Sequence, residues 1–204
     1  MSQKIGVFGG TFDPPHIGHL VAALNAQHVL GLDLVLFVVA NVPWQKVGSR
    51  QIAPVEVRVA MVEAAVADLP GCEASLLEIE RGGDSYTVDT LAELHDTNPG
   101  AELFLIVGTD VADSLDTWHR PDEVARLSTL AVLERPGSEG AAPPDAFRAV
   151  RVEAPLVDLS STELRARMSN DRPVRFLVPD AVLDVWIGAA RSGSDMSELE
   201  TTDG

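Results

Sequence analysis

The chain has 204 residues, 46% of them hydrophobic, which is enough for one well-buried globular domain. Its 15 Lys and Arg residues face 31 Asp and Glu residues, and the formal charge of −16 disfavours DNA or RNA as a ligand because such binding depends on neutralising phosphates. The sequence has no signal-like N-terminal segment and no run of about 18 apolar residues, so we expect a cytoplasmic protein without a membrane partner.

Short apolar runs alternate with segments of helical spacing along most of the chain. The predicted strands cover residues 5–8, 34–39, 75–79, 103–107, 130–133 and 150–157. The helical stripes between them cover residues 20–30, 59–69 and 88–94. This alternation predicts right-handed βαβ units, and therefore an α/β fold with a Rossmann-like, doubly wound parallel sheet. In such sheets, ligands bind beyond the carboxyl ends of the strands.

The C-terminal part of the sequence predicts two further helices and a tail. Ser160 has the position of an N-cap residue, and a last helix is predicted over residues 179–187. Residues 192–204 are acidic and poor in apolar side chains. We therefore predict a single domain over residues 1–191, followed by a disordered acidic tail.

The first predicted strand leads directly into the sequence GGTFDPPHIGH, residues 9–19. Gly9 and Gly10 can adopt positive φ angles and let backbone N–H groups approach an anion. The following helix adds a partial positive charge at its N-terminus. His16 and His19 are three positions apart, so both imidazoles can donate to neighbouring phosphate oxygens. The pattern therefore predicts a phosphate-binding turn.

Other interpretations of this turn stay open at the level of residue types. The glycines fit neither a P-loop nor the G-x-G-x-x-G pattern. The two histidines could be a helix cap and a surface residue. Asp13, His16 and His19 could instead ligate zinc or iron. The chain offers no further convincing ligand cluster, so no metal site is predicted.

A second candidate element is the sequence SSTELR, residues 160–165. It can be a simple capping box, or a second anion site in which hydroxyls and Arg165 surround a helix N-terminus. The cations that could converge on an anionic nucleotide are Lys46, Arg58, Arg135, Arg165 and Arg167.

Both elements resemble signatures of the nucleotidylyltransferase superfamily: residues 9–19 resemble its (T/H)-x-G-H motif, and residues 159–165 resemble the I-S-S-T-x-(I/L)-R element of its adenylyltransferases. The middle of the chain resembles the nicotinate-mononucleotide adenylyltransferase family, and the P-W-Q-K run resembles its actinobacterial branch. The matching pieces are residues 41–46, 58–61, 85–91, 108–110, 135–137 and 176–179, with Trp118. Two departures are Trp44-Gln45 in place of Pro-His, and His119 in place of an aromatic residue found in some relatives.

The resemblance implies a nucleotidylyltransferase-type sheet and the reaction of ATP with nicotinate mononucleotide to give nicotinate adenine dinucleotide and pyrophosphate, with Mg²⁺ brought by ATP. It implies catalytic roles for His16, His19 and Arg165. The implied binding residues of the first turn are Gly9, Gly10, Thr11 and Phe12. Those that would hold adenosine and its phosphates are Gly108, Asp110, Arg135, Ser160, Ser161 and Thr162. Those that would hold the mononucleotide are Asn41, Lys46, Thr87, Trp118 and His119, with Trp118 alone stacking on the nicotinate ring.

Three rival functions remain at this stage. The first is another adenylyltransferase of the superfamily, above all one acting on phosphopantetheine. The second is a nucleotide-sensing or scaffold protein that keeps the fold without catalysis, and the third is a metal-dependent hydrolase. The sequence also leaves open the preference for the acid or the amide mononucleotide, the oligomeric state, and closure of residues 43–51 over substrate.

Overall fold

The computed structural model describes residues 2–42, 52–112, 114–134, 144–155 and 157–200, without the side chains of Asp110 and residues 192–200. The strands are β1 (Lys4–Gly10), β2 (Leu34–Val39), β3 (Cys72–Ser75), β4 (Glu102–Gly108), β5 (Thr129–Glu134) and β6 (Ala149–Glu153). The helices are α1 (Ile17–Leu30), α2 (Val55–Val66), α3 (Leu77–Arg81), α4 (Thr87–Thr97), α5 (Thr109–Ala112), α6 (Pro121–Leu127), α7 (Ser161–Ser169) and α8 (Asp180–Glu200), with a 3₁₀ turn at Leu115–Thr117.

Within the described residues, the six strands form one parallel sheet in the order β3-β2-β1-β4-β5-β6. The prediction of an α/β, doubly wound parallel sheet is confirmed. The chain moves outward from β1 to β3 on one side and from β4 to β6 on the other. The strand order therefore reverses between β1 and β4, and crossover connections leave a crevice there at the carboxyl ends of the strands.

The side chains of β2 show why helices cover both faces of the sheet. Val35, Phe37 and Val39 belong to the core beneath α1, α2 and α8, whereas Leu36 and Val38 belong to the core beneath α4 and α6. Successive side chains of a strand point to opposite faces. A strand that is apolar at every position is therefore buried on both sides, as expected for a central parallel strand.

Several predicted boundaries are wrong. The strand predicted at 150–157 ends at Glu153 as β6. The strand predicted at 75–79 ends at Ser75, and residues 77–81 form α3. Apolar runs this short do not distinguish a strand from a helical turn by periodicity. The last helix continues beyond 187 to Glu200, into the segment expected to be a disordered tail. The domain division at residue 191 stays a prediction.

None of the helices in the described part of the chain is both long and apolar enough to cross a membrane.

Candidate active site

The turn between β1 and α1 is shaped by Phe12 rather than by the glycines. Gly9 and Gly10 lie within β1 and do not have positive φ angles, so that expectation is wrong. Phe12 has a φ of 50° and its side chain is buried. A Cβ atom on Gly10 would lie 2.9 Å from the Phe12 ring, so only glycine fits there without a shift. Phe12 was predicted to bind substrate, but its buried side chain instead packs beneath the turn as part of the core.

The two histidines meet at the start of α1. Their ring centroids are 3.7 Å apart, and the His16 backbone N–H donates to His19 Nδ1 at 3.1 Å. Because Nδ1 of His19 accepts a hydrogen bond, the neutral ring carries its proton on Nε2. His16 is buried, and in the described part of the chain its Nδ1 has no hydrogen-bond partner. The pair thus offers an N–H donor beside a second, buried imidazole.

Burial lowers the pKa of His16 from 6.5 to about 4. The cause is desolvation, which disfavours the charged imidazolium. His16 is therefore neutral at pH 7.

This pKa predicts how the stability of the protein depends on pH. The unfolded chain, with a His16 pKa near 6.5, takes up more protons than the folded protein between pH 6.5 and about 4. Stability is therefore complete above pH 6.5 and decreases by roughly 3 kcal/mol as the pH falls to about 4. Urea unfolding across this range should show the decrease in the wild type and its loss in His16→Asn. The exposed His28 provides the control, and equal slopes for His16→Asn and His28→Asn would contradict the assignment.

The second predicted element docks directly on the first. The Ser160 hydroxyl caps α7 by accepting from the Glu163 N–H at 3.1 Å. Ser161 Oγ donates to the Pro14 carbonyl at 2.8 Å. Arg165 donates to the Asp13 carbonyl at 2.5 Å, and its guanidinium lies 3.8 Å from the Asp13 carboxylate. The structure shows the N-cap half of the capping-box interpretation, because Glu163 pairs with Arg167 instead of the Ser160 backbone, and the anion-site interpretation stays a prediction.

The candidate cations separate into different positions. Arg165 also donates to Thr162 Oγ1 at 3.0 Å, so it stays at the turn. Arg167 instead pairs with Glu163 at 2.8 Å on the helix surface. Arg58 is 2% exposed and donates to four backbone carbonyls, those of Thr11, Ala40, Asn41 and Ala53. Arg58 thus joins the ends of β1 and β2 and does not act as a pocket cation.

A cavity of about 340 Å³ opens at the carboxyl ends of β1, β2 and β4, where the strand order reverses. The predicted residues that line it are Gly9, Gly10, Thr11, Thr87, Gly108, Trp118 and His119. Polar lining residues that the predictions missed are Glu78, Ser85, Tyr86, Thr90 and Ser114. Ser85, Tyr86 and Thr90 belong to a matching family segment and could have been found there, whereas Glu78 and Ser114 carry no such signal.

The aromatic residues of this cavity are Phe8 of β1 and three residues from two loops, Tyr86, Trp118 and His119. Trp118 is half-buried and packs against the core beneath α4, so it is both a core residue and a lining residue. The ring centroids of Tyr86 and His119 lie 4.4 Å apart, and the two ring planes are tilted by 31°. His119 therefore still provides a ring next to Trp118 in the chain, in contact with Tyr86.

Asn41 lies behind the cavity rather than in its lining. Its side chain donates to the Gly83 carbonyl at 2.9 Å, and its backbone N–H donates to Ser85 Oγ at 2.8 Å. It therefore holds the loop that leads into α4. Lys46 and Arg135 lie outside the described residues, as does the Asp110 side chain, so their predicted contacts stay predictions.

Comparison with known proteins agrees with this geometry. Residues 7–167 match the family model described as Cytidylyltransferase-like. The chain is 43% identical to a probable nicotinate-nucleotide adenylyltransferase of Herpetosiphon aurantiacus, over 88% of this chain and 93% of that protein. It is 46% identical to one from Thermus thermophilus, over 91% of this chain and 96% of that protein.

A solved structure shows the same fold. Plasmodium falciparum nicotinic acid mononucleotide adenylyltransferase complexed with APC superposes with a TM-score of 0.74 at 14% identity, over 91% of this chain and 95% of that chain. From these sequence and fold relationships, the chain belongs to the nicotinate-nucleotide adenylyltransferases of the cytidylyltransferase-like family.

Proposed function

We propose that this protein is a cytoplasmic enzyme of NAD biosynthesis that transfers the adenylyl group of ATP to nicotinate mononucleotide, giving nicotinate adenine dinucleotide and pyrophosphate. The observation that carries this proposal is the docking of α7 on the β1–α1 turn, through Ser161 and Arg165. It brings a guanidinium, two imidazoles and a helix N-terminus together beside a cavity of mononucleotide size. Near relatives with this activity in their names support the substrate.

The reaction needs no nucleophile from the protein. The attacking group is the 5′-phosphate of the mononucleotide, whose second pKa is about 6, so it is largely ionised at neutral pH. The protein's task is then in-line positioning and stabilisation of charge on the α-phosphoryl group and the departing pyrophosphate. We assign this task to His16, His19 and Arg165, assisted by Thr11.

These side chains suit phosphate oxygens, because the imidazoles and the guanidinium are N–H donors. Mg²⁺ needs oxygen ligands and keeps much of its water, so we propose that it enters bound to the phosphates of ATP. When bound, it would neutralise charge on the leaving pyrophosphate. Gly108 and residues 160–162 would hold the adenylyl half, while Trp118, Thr87 and His119 would hold the nicotinate half.

Pyrophosphate release from Mg-ATP tests this function. Nicotinate mononucleotide, nicotinamide mononucleotide and phosphopantetheine are supplied separately, with the His19→Ala variant as the blank. We expect turnover with nicotinate mononucleotide and little with phosphopantetheine, because Trp118 gives a stacking surface for a pyridine ring. Turnover of phosphopantetheine instead would assign the protein to the sister branch. Turnover of none of the three would favour a nucleotide-binding protein without catalysis.

A further inference from the structure

Glu78 is a buried carboxylate in the cavity wall that the proposed reaction does not use. It lies on α3 and is 7% exposed. Its Oε1 accepts from Thr90 Oγ1 at 2.7 Å. The Thr90 hydroxyl in turn accepts from Arg81 at 2.9 Å, and Arg81 pairs with Glu93 at 2.8 Å. One carboxylate oxygen is thus fixed by a network that joins α3 to α4.

The other oxygen, Oε2, has a different environment. Within the described residues, no hydrogen-bond partner reaches it, and it is not among the buried atoms sealed from solvent. Because Glu78 lines the cavity, this accessible oxygen is a hydrogen-bond acceptor for whatever occupies the cavity. Water can donate to this oxygen while the cavity is open, but a ligand that fills the cavity displaces that water. The ligand must then supply a donor itself, because a carboxylate oxygen left without one is costly.

The hydrogen-bond donors of the two substrates indicate which group donates to Glu78 Oε2. At neutral pH, the carboxylate, the pyridinium ring and the largely ionised phosphate of nicotinate mononucleotide carry almost no N–H or O–H group. The two ribose hydroxyls are its remaining donors. ATP also carries donors, on its ribose and its adenine, and Gly108 of this cavity would hold its adenylyl half. Glu78, however, is bonded to Thr90 on α4, the helix that begins at Thr87, and Thr87 would hold the nicotinate half. The acceptor mononucleotide is therefore the better source of the donor.

We propose that Glu78 is a specificity-determining residue that accepts a hydrogen bond from a ribose hydroxyl of the acceptor mononucleotide. This inference rests on the proposed function. It makes the cavity selective for a ribonucleotide, because a deoxy analogue would leave the buried carboxylate oxygen without a donor. Thr90 and Arg81 act through Glu78, as positioning residues that hold its carboxylate in one orientation.

The variant Glu78→Gln tests the inference with little disturbance of the fold. Thr90 Oγ1 accepts from Arg81 and donates its single proton to Glu78. We expect this proton to select the orientation in which the glutamine amide oxygen faces Thr90 and the amide nitrogen replaces Oε2 at the cavity. The variant keeps the internal hydrogen bond and removes only the charged acceptor.

The experiment compares nicotinate mononucleotide with its 2′,3′-dideoxy analogue in the wild type and in Glu78→Gln. We expect Glu78→Gln to raise KM for nicotinate mononucleotide about tenfold, with KM for ATP and the urea midpoint nearly unchanged. For the dideoxy analogue, the same substitution should change KM by less than about twofold, because the hydroxyl partner is already gone. Glu80→Gln, which changes an exposed carboxylate on the same helix α3, is the matched control and should leave both values near those of the wild type.

Three results would overturn the inference. An equal rise in KM for both mononucleotides in Glu78→Gln would mean that Glu78 acts on the charged ring or on the fold. A rise in KM that disappears when 2′,3′-dideoxy-ATP replaces ATP would place the hydroxyl on ATP. An unchanged KM for nicotinate mononucleotide would leave Glu78 without a role in binding. Failure of the wild type to turn over nicotinate mononucleotide contradicts the proposed function instead, so the two failures are distinguishable.

Discussion

Replacing His19 with alanine should lower kcat for adenylyl transfer by about 100-fold, with a much smaller change in KM for either substrate. The His16 backbone N–H donates to His19 Nδ1, so the neutral His19 ring carries its proton on Nε2 and presents a defined donor there. Such a donor stabilises charge that develops on the phosphoryl group in the transition state more than it stabilises bound substrate. Steady-state pyrophosphate release with saturating ATP measures the effect.

His28→Ala is the matched control for this prediction. His28 lies on the same helix, is exposed and is remote from the turn. The His28→Ala variant should retain nearly full activity. This comparison separates the loss of the His19 donor from a general effect of removing a histidine from α1. Loss of the contact with His16 also removes some helix capping, by about 1 kcal/mol, so unfolding should be measured in parallel. A His19→Ala enzyme that keeps a third or more of wild-type kcat would refute the catalytic role.

The largest effect on stability is expected at Arg58. Arg58→Met should lower the free energy of unfolding by about 3 to 5 kcal/mol. The substitution keeps most of the aliphatic volume but removes the N–H donors of four buried or partly buried carbonyls. These carbonyls belong to the chain segments that follow β1 and β2 and that precede α2, so the site would lose its framework as well. Urea unfolding monitored by tryptophan fluorescence measures the change.

Arg126→Met provides the comparison for Arg58. The Arg126 side chain is 66% exposed and pairs with Glu123 at 3.3 Å on the surface of α6. Exposed pairs of this kind contribute about 1 kcal/mol or less, so this variant should unfold almost like the wild type. The result that would contradict our interpretation is an Arg58→Met protein of normal stability with a raised KM for ATP. Arg58 would then be a ligand-binding cation, as its residue type alone suggested.

Local patterns in the sequence predicted much of the molecule. The alternation of apolar runs and helical stripes predicted the parallel sheet, and residues 9–19 predicted the turn that holds both histidines. Ser160 was predicted to begin a helix, and its hydroxyl does cap α7. Each of these features depends on residues close together in the chain. Hydrogen bonding, capping and burial of one face act there over a few positions, so the residue order is sufficient.

Other features depend on contacts between distant segments. The position of each arginine is one example. Arg165 donates to Asp13, 152 positions away in the chain, whereas Arg58 donates to buried backbone carbonyls and Arg167 pairs with Glu163 on the surface. Glu78 is another, because a carboxylate in a short apolar run gave no sign that a hydroxyl of α4 would fix one of its oxygens.

The sequence by itself thus determined the order and type of most elements and the chemistry of the phosphate turn. Only the tertiary structure decided which cation reaches the turn, which polar side chains line the cavity, and that residues 77–81 form a helix rather than the end of a strand. The physical reason is that parallel strands require long crossovers, which bring remote segments to one edge of the sheet. Local periodicity contains no information about which of those segments will meet.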